Sequence, residues 1–210
     1  MSSIDFKAHA LRMLQQNILT IPLTLDSQGF PKKPITPGWT QVTKEQVPHL
    51  PWRQARGIGI VLGEKSNNLC ALDIDDEGLA DTLLGILKGP RPPRVIRTAR
   101  RRCHVYVRTS EGVASRVSTV IWDGRSIKIE QKANGTQVAA PPTPGYKIEI
   151  DGQPLLATTL AEAWATIRAG IMAQFPGRLQ EITPEGSANY PSPWRQRVPV
   201  EGTLCRHGEG

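Results

Sequence analysis

Between residues 57 and 150 the chain reads as a succession of short apolar or alternating runs, cut by turns rich in Pro and Gly. The runs at 57–62, 69–75, 94–98, 104–108, 118–122, 126–130, 136–140 and 146–150 have the length and pattern of strands. Helical periodicity is confined to residues 4–17 (Ile4, Ala8, Leu11, Leu14), 77–88 (Leu79, Leu83, Ile86, Leu87) and 159–174 (Leu160, Ala163, Trp164, Ile167, Ile171). A strand-rich middle with helices at intervals predicts an α+β fold with a mixed or antiparallel sheet and flanking helices.

The connections sharpen this. Residues 18–25 read as a strand whose Pro22 marks an edge or a bulge. Residues 29–39 read as a loop and 44–50 as a short helix. The turn-rich segment 63–68 makes 57–62 and 69–75 a hairpin or neighbouring strands. The Gly-Pro-Arg-Pro-Pro run at 89–93 stops the second helix. Residues 1–175 are expected to form one domain, with 176–210 as a linker or flexible C-terminal tail, the chain being a small protein or an excised domain.

Lys and Arg exceed Asp and Glu by 26 to 19 in a chain of 210 residues, for a net charge of +7. That balance favours a polyanionic partner. A membrane is the poorer choice, because the apolar runs fall short of the roughly 20 residues a span needs. The N-terminal segment lacks the apolar stretch of a secretory signal. Three cysteines, Cys70, Cys103 and Cys205, form no paired framework. A cytoplasmic location is expected.

The chemistry concentrates in three segments. Leu69-Cys70-Ala71-Leu72-Asp73-Ile74-Asp75 ends a strand on two acids. Alternation places Asp73 and Asp75 on one face and Leu72 and Ile74 on the other. Two such carboxylates repel unless a divalent cation lies between them; the other reading is a solvated strand end. Asp76 is assigned to the cap of the following helix. In 98–108, three arginines, Arg100, Arg101 and Arg102, lead into a strand with His104, Tyr106 and Arg108 on one face. Arg suits bidentate phosphate contacts, or else makes a solvated basic turn. In 126–132, Ile127 and Ile129 face the core, and Lys128 and Glu130 face away.

In this order and spacing the chain resembles the bifunctional DNA primase/polymerase domain of the archaeo-eukaryotic primase superfamily, carried by plasmids, phages and other mobile elements. The resemblance rests on Pro22, Lys33-Pro34 and Trp39; on Gly57-Ile58-Gly59-Ile60 with Gly63; on Asp73-Ile74-Asp75; on Thr98 with His104 and Tyr106; and on Glu130, Gly135 and Ala140-Pro141-Pro142-Thr143. It implies a primase-like, RRM-like catalytic core and template-directed nucleotidyl transfer in DNA replication. By the same resemblance, Asp73, Asp75 and Glu130 would bind two Mg²⁺ or Mn²⁺ ions. His104 would contact the phosphates of a nucleoside triphosphate, assisted by Lys132 and the nearby Arg100, Arg101 and Arg102. The implied partners are a single-stranded DNA template and nucleoside triphosphates, with a replicative helicase as a further candidate.

The chain departs from the family pattern at several points. Arg100-Arg101-Arg102-Cys103 stands where glycines are usual, Glu130 where Asp is usual, and Gln137 where an aromatic is common. No Gly-x-x-x-x-Gly-Lys-Ser/Thr helicase loop follows.

Lys32, Lys33, Arg91, Arg94, Arg97 and Arg125 are candidates for a template groove, and Trp39 and Trp122 for stacking on bases, against their ordinary role as packing residues. Three rivals compete with this reading. One is a catalytically inactive primase-fold module that binds single-stranded DNA or an origin. Another is a metal-dependent nuclease. The weakest is a zinc site of Cys103, His104, Cys205 and His207, whose spacing matches no usual pattern.

Overall fold

Asp5 opens the first helix: its carboxylate accepts a hydrogen bond from the Ala8 amide at 2.9 Å, and α1 (Phe6–Gln15) follows. The other two helices start the same way. Asp76 accepts from the Leu79 amide at 2.8 Å ahead of α2 (Glu77–Ile86), as its position in the sequence predicts. Thr159 accepts from the Glu162 amide ahead of α3 (Leu160–Gln174). Each cap satisfies an amide that the first turn of a helix leaves without a partner. The computed structural model describes residues 4–181.

The strands form two sheets. The smaller has the order β2-β1-β3-β9, built from β1 (Thr20–Leu25), β2 (Pro31–Pro34), β3 (Gly57–Val61) and β9 (Gln137–Ala140). The larger has the order β10-β5-β6-β4-β8-β7-β12. Its strands are β4 (Leu69–Ile74), β5 (Val95–Arg97), β6 (Cys103–Thr109), β7 (Arg116–Trp122), β8 (Arg125–Lys132), β10 (Lys147–Ile150) and β12 (Leu179–Glu181). These pairings are antiparallel; β11 (Leu155–Ala157) adds to β6 in parallel. The fold is α+β, as the pattern of runs predicts.

The large sheet is covered on both faces. Cys70, Leu72 and Ile74 of β4, Val105 and Val107 of β6, and Ile127 and Ile129 of β8 pack with Leu79 and Leu83 of α2 and Trp164 and Ile167 of α3. Leu69 and Ala71 of β4, with Ile96 and Tyr106, turn the other way and join the core of the small sheet, which also takes in Ala10 of α1. Every residue of β4 is therefore buried. Each fully buried Leu or Ile contributes roughly 1.5–3 kcal/mol, so β4 anchors both layers. Asp73 is the next residue on the small-sheet face after Ala71, at the point where the apolar lining ends.

Several local expectations are corrected. β3 and β4 form neither a hairpin nor neighbouring strands. Gly63, at φ 87°, and left-handed Asn67 and Asn68 turn the chain from one sheet to the other, leaving an isolated bridge between Gly63 and Leu69. Pro22 lies on an inner strand. Its carbonyl accepts from the Ile35 amide at 3.1 Å, so its nitrogen faces the end of β2, where a missing N–H costs little; the bulge comes later, at Thr24/Leu25. Residues 31–34, read as loop, form the edge strand β2, where prolines are tolerated. The helix expected at 44–50 is a 3₁₀ turn, Val47–His49. Within the stretch read as a tail, Leu179–Glu181 pairs with β7; residues 182–210 lie outside the described residues.

Candidate active site

Asp73 sits on the central strand with His104 of β6 directly opposite on one side and Glu130 of β8 directly opposite on the other. Residues facing each other across a ladder project to the same face, so three side chains from three strands share one rung. The alternation that sends Leu72, Val105 and Ile129 to the helices sends this rung toward the small sheet. Asp75, two residues beyond Asp73, continues the same face past the end of β4.

Charge on the rung is closely matched. Lys132 Nζ lies 2.7 Å from Asp73 Oδ2 and 3.1 Å from Glu130 Oε2. His104 Nε2 stands 3.5 Å from Asp73 Oδ1. Asp75 accepts from Arg102 Nη1 at 2.6 Å. All of these groups but Glu130 open on a cleft of about 80 Å³ between the two sheets, lined by Asp73, Asp75, His104 and Lys132 from the large sheet and its margins, Lys32 and Gln137 from the small one, and the turn at 98–102.

Burial and charge oppose each other here. Burial alone would raise the Asp73 carboxyl, but His104 and Lys132 outweigh it and hold the carboxyl below its ordinary value. Burial would likewise lower the Lys132 ammonium; Asp73 and Glu130 reverse that and raise it. For His104 burial wins over Asp73 and the imidazole is pushed down. Its Nδ1 is buried and has no hydrogen-bond partner among the described residues. Such an atom costs about 1–3 kcal/mol if nothing ever satisfies it.

The arginine run divides. Arg102 and Arg100 line the cleft, Arg100 with its guanidinium 4.5 Å from the centre of the Phe30 ring and bonded to Gln28. Arg101 is not brought to the cleft: it pairs with Glu77 at 2.6 Å, at the start of α2. Its φ of 58° places it in the left-handed region, in a turn closed by the Arg101 amide on Thr98 O. Glycine takes that conformation most readily.

Of the groove candidates, Lys32 lines the cleft. Arg97 does not: it is buried against Asp81 of α2, with 2.6 Å between them. Arg94 is engaged by Asp151 and the Gly152 carbonyl, and Arg125 by Asp76. Arg125 shares the helix-side alternation of Ile127 and Ile129. Trp122 is fully buried in the helix-side core and edge-on to Phe175, and Trp39 packs against the other core, so both keep their ordinary packing role. Cys103 faces the helices while His104 faces the cleft, which separates that zinc pair; Cys205 and His207 lie outside the described residues.

Tyr146 was not singled out by sequence. It lines the cleft, 6.2 Å from the His104 ring between centroids, and burial raises its hydroxyl to about 12. Only its place just after the Pro-Pro-Thr-Pro-Gly turn hinted at it, and that turn returns the chain to the large sheet at β10.

Among the described residues no three acid, His or Cys side chains are gathered closely enough to enclose a metal ion. The donor set still suits Mg²⁺ or Mn²⁺, which select carboxylate oxygens and are commonly held by one or two carboxylates together with substrate phosphates. No helix is long and apolar enough to cross a membrane among the described residues.

No curated protein matches the chain. The family model described as bifunctional DNA primase/polymerase, N-terminal, matches residues 10–163. That stretch runs through both sheets and contains every residue named above as lining the cleft. The chain belongs to the bifunctional DNA primase/polymerase family.

Proposed function

We propose that the cleft carries out template-directed nucleotidyl transfer, as a DNA primase, a DNA polymerase or both, in the replication of a plasmid, phage or mobile element. A 3′-hydroxyl attacks the α-phosphorus of a nucleoside triphosphate, the new phosphodiester forms, and pyrophosphate leaves. The observation that carries this reading is the single rung of His104, Asp73 and Glu130, from which His104 and Asp73 open with Asp75 on a cleft rich in Lys and Arg. Two Mg²⁺ or Mn²⁺ ions, held by Asp73, Asp75 and Glu130, would supply activation of the hydroxyl and screening of the triphosphate.

The chain's own groups do the positioning. A phosphate oxygen in the cleft would bring negative charge that favours the doubly protonated imidazole, whose Nδ1–H would donate to it. Lys32, Arg100, Arg102 and Lys132 stand where a polyanion needs countercharge, the two lysines on strands and the two arginines on the turn at 98–102. In this reading residues 1–175 are the catalytic unit. Its core is RRM-like, in that α2 and α3 cover one face of an antiparallel sheet and the site lies on the other. Single-stranded template and nucleoside triphosphates are the required partners, and a replicative helicase is a further proposed one.

The alternative is a catalytically inactive primase-fold module that binds single-stranded DNA or an origin. It draws on the ion pairs, since each of the three carboxylates already has a cation from the chain itself. Labelled nucleotide, single-stranded DNA and Mn²⁺ or Mg²⁺, with and without a primer, decide between them. Product that vanishes in Asp73→Ala with Asp75→Ala supports the enzyme. DNA binding with no product under any condition supports the module.

A further inference from the structure

Lys132 does more than lend charge to the cleft. Its ammonium lies between the carboxylates of Asp73 and Glu130, in hydrogen-bond contact with both, and its side chain is only 22% exposed. Arg102 holds Asp75 in the same manner. Counting formal charge, three carboxylates carry −3 and the two basic groups +2, leaving −1. A divalent ion bound by Asp73 and Glu130 needs their oxygens at about 2.0–2.6 Å, in the space the ammonium uses. Cation and ammonium therefore exclude each other.

We propose that Lys132 and Arg102 are resident counter-ions that hold Asp73, Glu130 and Asp75 closed to divalent cations until a nucleoside triphosphate draws both basic groups onto its phosphates. The inference rests on the reading of those three acids as the metal site. Both basic side chains line the same cleft as Asp73 and Asp75, so the transfer is a swing within one cavity. As each leaves its carboxylate, a metal ion arrives there, so Asp73, the buried one of the three acids, is not left without a partner. Metal and nucleotide then bind as a coupled pair, each tightening the other by the same factor.

The test is Mn²⁺ binding, read from the electron paramagnetic resonance signal of the free ion. It is measured with and without an imido analogue of a nucleoside triphosphate, on proteins whose folding is checked by circular dichroism. Removing a counter-ion is expected to tighten Mn²⁺ binding without nucleotide by at least about fivefold in Lys132→Met and in Arg102→Gln. Analogue affinity weakens in both, while Lys132→Arg stays close to the unaltered protein. Arg102→Gln carries the test if Lys132→Met does not fold, because the Arg102–Asp75 pair is more exposed. Folded variants that bind Mn²⁺ no more tightly than the unaltered protein overturn the inference and leave the metal site standing. Mn²⁺ binding that is indifferent to Asp73→Asn even with the analogue present overturns the metal site, and the inference with it.

Discussion

Asp73 and Glu130 face each other across adjacent antiparallel strands and share a single ammonium, that of Lys132, at 2.7 and 3.1 Å. Their separation along the sequence is bridged by ladder register alone, and the shared cation reports that the two side chains point into the same space.

Replacing Asp73 by Asn is expected to separate activity from folding. Lys132 keeps Glu130 as a partner, so the loss of stability is held to about 1–3 kcal/mol. Nucleotide incorporation falls by at least about 100-fold, the scale on which losing a group that stabilises transferring charge is felt. Thermal melting and primer extension on the same preparation check both halves.

Trp122 is fully buried in the helix-side core. Trp122→Ala should cost about 3–5 kcal/mol. Trp122→Phe, which keeps most of the volume, should leave DNA affinity at a fixed salt concentration unchanged. A clear loss of affinity, measured by fluorescence anisotropy, would place this ring on the nucleic acid after all.

Arg101 has a left-handed backbone, and its ion pair with Glu77 is well exposed on both sides (69% and 52%). A pair of that kind is worth little, whereas the backbone conformation costs a non-glycine residue about 1–2 kcal/mol. Arg101→Gly should be neutral or stabilising by up to about 1 kcal/mol, and Arg101→Val destabilising. Urea denaturation of the two variants tests the contrast.

Cys103 is fully buried, and burial raises its thiol to about 12. The folded state holds the proton more tightly than the unfolded chain, whose thiol ionises near 9.0. This contribution to stability is complete below pH 9 and declines as pH rises toward 12. In a Cys205→Ser background, neither Cys103 nor Cys70 should react with a thiol reagent at pH 8 until the protein is denatured, when both should. Rapid labelling of the native protein would contradict the burial.

What could be read locally came through well. Asp76 is a cap because a carboxylate three residues before a free amide needs nothing distant. The faces of β4, β6 and β8 follow from alternation, which is a property of a single strand. The sites of Leu72 and Ile74 on one side and Asp73 on the other were therefore legible before any pairing was known. Sheet membership was not: the turn at 63–68 looks like a hairpin link, and only the left-handed residues within it send β4 to a different sheet. The basic residues were the least legible. Arg97, Arg125 and Arg101 carry the same charge as Lys32 and Arg102, and nothing nearby in the chain tells which will meet Asp81, Asp76 or Glu77.

By itself the sequence determined the three helices, most of the strands with their buried faces, the Asp76 cap and the acid pair, because these depend on residues within a few positions of one another. The tertiary structure decided that His104, Asp73 and Glu130 fall on one rung, that Tyr146 closes the cleft beside them, and that Lys132 and Arg102 are the cations on the acids. Those relations are set by strand register and by the packing of one sheet on another. Both are fixed by the sum of many distant contacts, and no short stretch of sequence carries that sum.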